Sequence, residues 1–183
     1  MDQIKEIQKL IVGKGPRSLV EIGCAFGGLC GSLKTLNPDL SVTGIDIANG
    51  YIKSAKKRFP DIKFKRLDIV KDSLKGHWDI VITHGMFIHI IHEDIEKTIS
   101  KVMSLADVGI FLESKVPERK GMITYNAREY WEQRVGKQEA DFWESNVQYC
   151  YLHDYESIFK KLGIQYRTIK EGAVRLYICE RNH

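Results

Sequence analysis

Short apolar runs alternate along this chain with segments of helical spacing. Five runs have strand character, and several of them end at a charged residue. Between them apolar residues recur every three to four positions until Gly, Pro or Asn interrupts the spacing. The pattern predicts strands at 19–22, 40–45, 62–67, 78–83 and 108–112, and helices at 2–12, 29–36, 51–59 and 93–105.

This β-α-β alternation is typical of a parallel sheet with helices on both faces. The end of the chain departs from it. Asp154 is placed to cap a helix, and two strand-like runs at 164–169 and 174–179 flank Glu171-Gly172, which is a short hairpin signal. We therefore expect an antiparallel hairpin to complete the sheet.

The alternation is interrupted between residues 114 and 153. This segment is charged, contains Pro117 and Gly121, and is rich in Tyr and Trp. We predict that it is a cap inserted after the fifth strand, within a single domain spanning 1–183.

Composition narrows the class of protein. A chain of 183 residues with 43% hydrophobic content supports one domain with a real core. The net charge of +4 is too small to indicate a nucleic-acid partner by itself. The four cysteines show no C-x-x-C spacing, and the chain contains no signal-like or membrane-length apolar run. We expect a cytoplasmic protein with reduced thiols, no membrane contact and a monomeric or homodimeric state.

A glycine-rich turn follows the first predicted strand. Gly23-x-Ala25-x-x-Gly28 is a degenerate dinucleotide-binding fingerprint, and Asp46 ends the second strand where a carboxylate can accept hydrogen bonds from ribose hydroxyls. NAD remains open on these residues alone. Glu21 before the first glycine, Asp68 after the third strand and the closing hairpin indicate a different cofactor.

With Glu21, Gly23 and Gly27 in this spacing, the chain resembles the class I S-adenosylmethionine-dependent methyltransferases over nearly its whole length. The resemblance implies an α/β three-layer sandwich with a mostly parallel seven-stranded sheet and an antiparallel last strand. Ala25 stands where many members carry glycine, which is a mild departure.

The resemblance also implies the cofactor, S-adenosyl-L-methionine, and its binding residues. The glycine loop lies against the methionine part, Asp46 against the ribose, and Asp68 with Ile69 against the adenine. The predicted cofactor-binding residues are Glu21, Gly23, Cys24, Ala25, Phe26, Gly27, Asp46, Ile47, Asp68, Ile69, Thr83 and His84.

Residues 83–92, after the fourth strand, are where family members place groups that face the acceptor. This stretch lacks an Asn/Asp-Pro-Pro-aromatic motif and a Pro-Cys pair, and it resembles that of small-molecule methyltransferases. A hydroxyl acceptor benefits from a general base, and imidazole titrates near neutral pH. His89, His84 and His153 are the candidate catalytic residues.

The histidines of this stretch also raise the alternative of a metal site. His89 and His92 have helical spacing, but paired carboxylates of the metal-dependent catechol type do not follow the fourth strand. We predict no metal.

The acceptor is expected to lie between the 83–92 stretch and the cap. Aromatic side chains are common walls of ligand pockets, and an arginine can anchor an anion. The predicted substrate-binding residues are Met86, Phe87, Tyr125, Arg128, Tyr130, Trp131 and Trp143.

The predicted function is S-adenosylmethionine-dependent methylation of a small molecule, at an oxygen of a sugar or a secondary metabolite. Two alternatives stay open. A basic cluster would serve an RNA methyltransferase, although the aromatic residues that interleave with it, Phe59 and Phe64, alternate like core residues. A non-catalytic cofactor-binding module would share the same fold. The basic cluster consists of Lys53, Lys56, Lys57, Arg58, Lys63, Lys65 and Arg66.

Overall fold

The first part of the chain folds as helices and strands in alternation. The computed structural model describes residues 3–114, 123–126, 128–129, 149–171 and 174–180. Its first elements are α1 (Gln3–Lys14), β1 (Ser18–Ile22), α2 (Gly28–Leu36), β2 (Ser41–Asp46), α3 (Asn49–Arg58), β3 (Lys63–Arg66) and β4 (Trp78–His84).

The second part begins with a single 3-10 turn at Phe87–His89. It continues with α4 (His92–Met103), β5 (Ala106–Ser114), β6 (Ile123–Asn126), β7 (Tyr149–Leu152), α5 (Tyr155–Lys161), β8 (Gln165–Glu171) and β9 (Val174–Glu180).

Seven strands form one sheet in the order β3-β2-β1-β4-β5-β9-β8. Neighbours from β3 to β5 are parallel, while β9 runs antiparallel to both β5 and β8. This arrangement confirms the predicted seven-stranded sheet with its antiparallel last strand. The carboxyl ends of β1 to β5 meet at one edge, which is where open α/β sheets bind ligands.

Two apolar cores separate the sheet from its helices, which makes three layers. Side chains of α1, α2 and α3 pack on one face against residues such as Leu19, Ile80 and Ile110. Side chains of α4 and α5 pack on the other face against Val20, Val81 and Phe111. Successive residues of one strand thus belong to opposite cores, as the two-residue period of a strand requires.

The ends of several elements follow sequence signals. The Asp154 carboxylate accepts a hydrogen bond from Ser157 N at 3.1 Å, as expected of the residue that begins α5. The strand β5 is longer than predicted and runs to Ser114, and β3 is shorter. The described helices include none that is long and apolar enough to cross a membrane.

Part of the predicted cap forms a second, two-stranded sheet. In it β6 pairs antiparallel with β7, with Ile123 opposite Leu152. The sequence did not predict these two strands, because four-residue runs carry too little periodicity to be recognised.

Gly44 allows β2 to approach the loop that follows β1. A Cβ atom at this position would lie 2.5 Å from the Phe64 ring and 2.9 Å from Cys24 Sγ. We expect Gly44→Ala to lower the free energy of unfolding by about 1–3 kcal/mol through overpacking. Urea unfolding measures this change.

The matched control is Gly50→Ala, since a Cβ atom at Gly50 meets nothing within 4 Å. This control is expected to leave stability unchanged or slightly raised, because alanine is the better helix former. Equal stability of the two variants would contradict the close approach at Gly44.

Candidate functional site

The loop after β1 is wound tightly against the end of β2. Gly23 N and Cys24 N both donate to the carbonyl oxygen of Ile45, at 2.8 and 3.0 Å. Gly23 has a φ of +79°, and a Cβ atom there would lie 2.5 Å from the Met86 side chain. Only glycine satisfies both conditions, so this loop brings bare backbone to the carboxyl edge of the sheet.

The Asp46 carboxylate joins this loop to the start of α3. Its Oδ2 accepts from Ala25 N at 2.9 Å, and its Oδ1 accepts from Ala48 N at 2.8 Å. Ala25 has a φ of +44°, a left-handed conformation that alanine adopts at a cost of about 1–2 kcal/mol. The hydrogen bond to Asp46 offsets part of that cost. Each carboxylate oxygen retains a second lone pair for a ligand hydroxyl.

Glu21 faces the interior rather than the edge of the sheet. The side chain is 3% exposed, and its Oε2 accepts from Cys30 N at 3.1 Å and from Cys30 Sγ at 2.8 Å. Burial raises the pKa of Glu21 to about 7. The carboxyl group therefore fixes the start of α2 relative to β1, and it acts on the glycine loop through the backbone.

The loop after β3 is closed by two aspartates. Asp68 Oδ1 accepts from Val70 N at 2.9 Å and Lys71 N at 3.3 Å, while Asp72 Oδ2 accepts from Asp68 N at 3.0 Å. Ile69 is buried in the core beneath this turn. The predicted adenine-side residues thus lie in a rigid turn that follows β3.

Exposed apolar side chains also line this edge. Ile47, directly after Asp46, is 57% exposed, and Phe26 in the glycine loop is 37% exposed. The Phe26 ring contacts the ring of Tyr51, with centroids 4.4 Å apart. Apolar groups left in water beside polar ones are characteristic of a ligand site. Sequence reasoning missed Tyr51, which has the helical spacing of an ordinary α3 residue.

The segment after β4 is held by a buried carboxyl group that the sequence analysis missed. Glu113 is fully buried, and its Oε1 accepts from Thr83 Oγ1 at 2.9 Å, Met86 N at 3.2 Å and Phe87 N at 3.3 Å. Burial raises the pKa of Glu113 to about 8. Its signal is the one used for Asp46, an acidic residue at the carboxyl end of an apolar strand.

His84 and His89 are the two candidate bases that reach the surface. Both side chains are exposed, yet surrounding protein atoms remove enough water to lower the pKa of each ring below its usual value. Side chains that are accessible to solvent and still partly desolvated indicate that His84 and His89 lie in a concave part of the surface. The negative charge of Asp46 acts in the opposite direction and raises the pKa of His89, which indicates that the two side chains lie on the same side of the molecule.

His153 occupies a different position. It is 1% exposed, its Nε2 contacts the carbonyl oxygens of Phe87 and Ile90 at 3.1 and 3.0 Å, and its Nδ1 lies 3.2 Å from His92 Nδ1. Because Nε2 must donate to the carbonyls, Nδ1 accepts from His92. Burial lowers the pKa of His153 to about 4. Because both ring nitrogens are hydrogen-bonded within the protein, neither is free to take a proton from a methyl acceptor. His153 instead positions the 87–90 turn.

His92 extends this network to the cap. Its Nε2 lies 3.1 Å from Thr124 Oγ1 on β6. The chain of contacts from Thr124 through His92 to His153 therefore ties the described part of the cap to the 87–90 turn. From the sequence, His92 was a candidate only for metal binding, and its spacing gives no sign of these contacts.

Several predicted ligand-binding residues are buried. Phe87, predicted to bind the acceptor, is fully buried, and its ring packs on Phe111 and Tyr155. Thr83 and Cys24 are also buried, so contact with a ligand is left to their backbone. Met86 is 8% exposed and packs under Gly23.

The predicted acceptor residues of the cap lie mostly beyond what the structure describes. Tyr130, Trp131 and Trp143 fall outside the described residues, and for Tyr125 only the backbone pairing in β6 is described. Arg128 is exposed, and its N–H donates to Asn126 Oδ1 at 2.9 Å. Within the described ranges, no cluster of three or more His, Cys, Asp or Glu residues has the geometry of a metal site.

Comparison with known proteins gives one family and several similar folds. Residues 20–109 match a model described as "Methyltransferase domain". A curated relative, malonyl-[acyl-carrier protein] O-methyltransferase of Acetivibrio thermocellus, is 34% identical over 100 residues, which are 53% of this chain and 35% of that protein. The chain thus spans well under two thirds of the length of this relative.

Two solved structures share the fold. Magnesium protoporphyrin IX methyltransferase from Synechocystis PCC 6803, with bound SAM, has a TM-score of 0.66 at 20% identity over 98% of this chain and 78% of that chain. The N-terminal domain of EvdMO1, in the presence of SAH and D-fucose, has a TM-score of 0.71 at 11% identity over 100% of this chain and 84% of that chain.

The two buried glutamates predict an unusual pH dependence of stability. A carboxyl group whose pKa is raised to about 8 on folding keeps its proton longer in the folded state than in the unfolded state. Stability therefore falls as pH rises toward that value, by at most about 1.4 kcal/mol per pH unit for each group. His153 acts in the opposite direction, but only below the ordinary histidine pKa near 6.5.

We expect the unfolding free energy to decrease between pH 6.5 and 8.5, and Glu113→Gln to reduce that decrease because glutamine mimics the protonated acid. Urea unfolding at several pH values measures it. Glu93→Gln, at an exposed position of α4, is the control and is expected to keep the wild-type slope. Parallel curves for wild type and Glu113→Gln would refute the assignment.

Proposed function

We propose that this chain is a class I S-adenosylmethionine-dependent methyltransferase and that it transfers a methyl group to an oxygen of a small-molecule acceptor. One observation carries the proposal. The glycine loop, Asp46, the Asp68 turn and the histidines after β4 converge on the carboxyl edge of five parallel strands. A cofactor site and a candidate base are therefore neighbours.

The residues present fit S-adenosylmethionine. Asp46 has lone pairs for the ribose hydroxyls, and Gly23 with Ala25 lets the methionine end approach the backbone. Ile47 is exposed where an adenine face would need apolar contact, next to the Asp68 turn. When bound, the cofactor would supply an electrophilic methyl group on a sulfonium. Holding the acceptor in line with that methyl group can lower the activation free energy by about 7–11 kcal/mol.

His89 and His84 supply the base. Because their pKa values are lowered, both rings are neutral at pH 7 and can accept a proton from a hydroxyl. The carboxyl group of Glu113 and the ring of His153 hold the segment that carries His89 from its two sides, through N–H and C=O groups respectively. The base is thus fixed in place before the acceptor arrives.

The acceptor we infer is a sugar or a secondary metabolite. A hydroxyl group must lose its proton when it is methylated, and a neutral imidazole can accept that proton. The name of the A. thermocellus relative indicates a carboxylic acid as the acceptor of that protein. A carboxylic acid is already ionised at neutral pH and needs no base. The two acceptor classes therefore differ in their dependence on His89.

The placement of the basic cluster favours a small acceptor over RNA. Its residues lie on the exposed side of α3 and on β3, the edge strand of the sheet. Between β3 and β4, which carries His84, lie β2 and β1, a separation of about 14 Å at ordinary strand spacing. An acceptor affinity that falls steeply with salt would support the RNA alternative instead.

The proposed function is tested by asking whether the protein converts S-adenosylmethionine and an acceptor into products. Purified protein, S-adenosylmethionine and a metabolite extract are incubated, and mass spectrometry searches for S-adenosylhomocysteine and for a product heavier by one methyl group. Cofactor binding without either product would support the non-catalytic module.

Asp46→Ala is expected to weaken binding of S-adenosylhomocysteine by roughly 1–3 kcal/mol, because it removes charge-assisted bonds to the ribose and releases Ala25 N. Isothermal titration calorimetry measures the affinity. Asp39→Ala, at an exposed turn, is the control and is expected to bind as the wild type does. Unchanged affinity of Asp46→Ala would remove Asp46 from the site.

His89→Ala is expected to lower kcat about 100-fold or more for a hydroxyl acceptor, with little change in cofactor affinity. Because the base must be neutral, wild-type kcat/KM should fall as pH drops through a value below 6.5, and this fall should disappear in the variant. Turnover that is unaffected by the substitution at every pH would indicate a carboxylate acceptor. Loss of activity in His84→Ala alone would assign the base to His84.

A further inference from the structure

Lys101, near the end of α4, directs its ammonium group at a single loop. Its Nζ donates to the carbonyl oxygens of Ile69, Val70 and Asp72 at 2.7, 3.1 and 3.2 Å. An ammonium has three N–H donors, so all of its hydrogen-bonding capacity is spent on the turn after β3. The side chain is half-buried, which makes these contacts stronger than those of an exposed lysine.

The same turn is closed from its N–H side. Asp68 Oδ1 accepts from Val70 N and Lys71 N, and Asp72 N donates to the carbonyl oxygen of Asp68 at 2.8 Å. Lys101 thus binds carbonyl groups of the 68–72 turn, and Asp68 binds N–H groups of the same turn. The orientation of its peptide groups depends on both kinds of contact together.

Two polar groups of the turn remain available. Ile69 N–H donates to no group within the described part of the chain, and Asp68 Oδ2 faces Lys71 Nζ only at 4.0 Å. One is a donor and the other is an acceptor, on adjacent residues. The Watson–Crick edge of adenine presents the complementary pair, an acceptor at N1 and a donor at N6.

We infer that Lys101 is a positioning residue for adenine selection: it holds the 68–72 turn so that Ile69 N–H and Asp68 Oδ2 match the adenine edge. This inference rests on the proposed cofactor. Lys101 does not touch the ligand in this assignment and acts through the orientation of the Ile69 and Val70 peptide groups.

Charge alone does not account for the arrangement. Three carbonyl oxygens surround one nitrogen, which suits the compact ammonium of lysine, whereas the donors of arginine are spread over a plane. Lys101→Arg therefore keeps the positive charge near Asp68 and Asp72 but not the convergent contacts.

The experiment compares two ligands that differ in the base. Calorimetry measures the affinity of the full chain for S-adenosylhomocysteine and for S-inosylhomocysteine, whose base has a donor at N1 and an acceptor at O6. Wild type is expected to prefer the adenine ligand. Lys101→Met should reduce this preference about tenfold, as expected for the loss of one or two well-aligned hydrogen bonds, and Lys101→Arg should reduce it as well.

Lys97→Met is the matched control, since Lys97 is exposed one turn earlier on the same helix. It is expected to keep the wild-type preference. A general loss of stability would weaken both ligands equally, so the ratio of affinities separates positioning from folding. If Lys101→Met does not fold, Lys101→Arg decides the outcome.

The outcomes separate this inference from the proposed function. Wild type that binds neither ligand would overturn the cofactor assignment. Wild type that prefers adenine, together with a Lys101→Arg or Lys101→Met ratio equal to that of wild type, would overturn the role of Lys101 alone. Wild type that binds both ligands equally would overturn the placement of the 68–72 turn at the base.

Discussion

Backbone groups at the carboxyl edge of the sheet must be hydrogen-bonded once the strand pairing stops, and side chains at the strand ends satisfy them. Glu21 accepts from Cys30 N, Asp46 from Ala25 and Ala48 N, Asp68 from Val70 and Lys71 N, and Glu113 from Met86 and Phe87 N. The same type of contact, a carboxylate at a strand end that accepts from backbone N–H groups, fixes each loop in turn. The candidate site is the set of backbone positions that results.

The four carboxyl groups divide by burial. Glu21 and Glu113 are buried, and desolvation raises the pKa values of both to near or above neutrality. Asp46 and Asp68 are partly exposed at the edge, where their oxygens accept from backbone N–H groups. Residues of one chemical type thus separate into interior groups that hold loops and edge groups that can also meet a ligand. The sequence pattern alone does not distinguish them, because both follow an apolar strand.

The sequence was informative wherever local chemistry decides structure. The order of the seven strands of the main sheet along the chain, the glycine loop and the capping role of Asp154 were predictable, since periodicity, positive φ and N-cap preference act within a few residues. The burial of His153 and Phe87 was not, because it depends on contacts with residues more than twenty positions away, Phe111 and Ile90 among them. Lys101 was missed for the same reason, whereas Glu113 was missed because the predicted fifth strand ended at residue 112, one position before it.

The helix α4 links the two halves of the site. His92 at its first position joins the cap and the 87–90 turn through Thr124 and His153, while Lys101, nine residues later, holds the 68–72 turn. At 1.5 Å per residue these contacts are about 14 Å apart along the helix. The buried side chains Ile95, Ile99 and Val102 fix the helix against the sheet between them. A rigid α4 therefore keeps the turn assigned to adenine and the turn that carries His89 at a constant separation, which a methyl transfer between two aligned reactants requires.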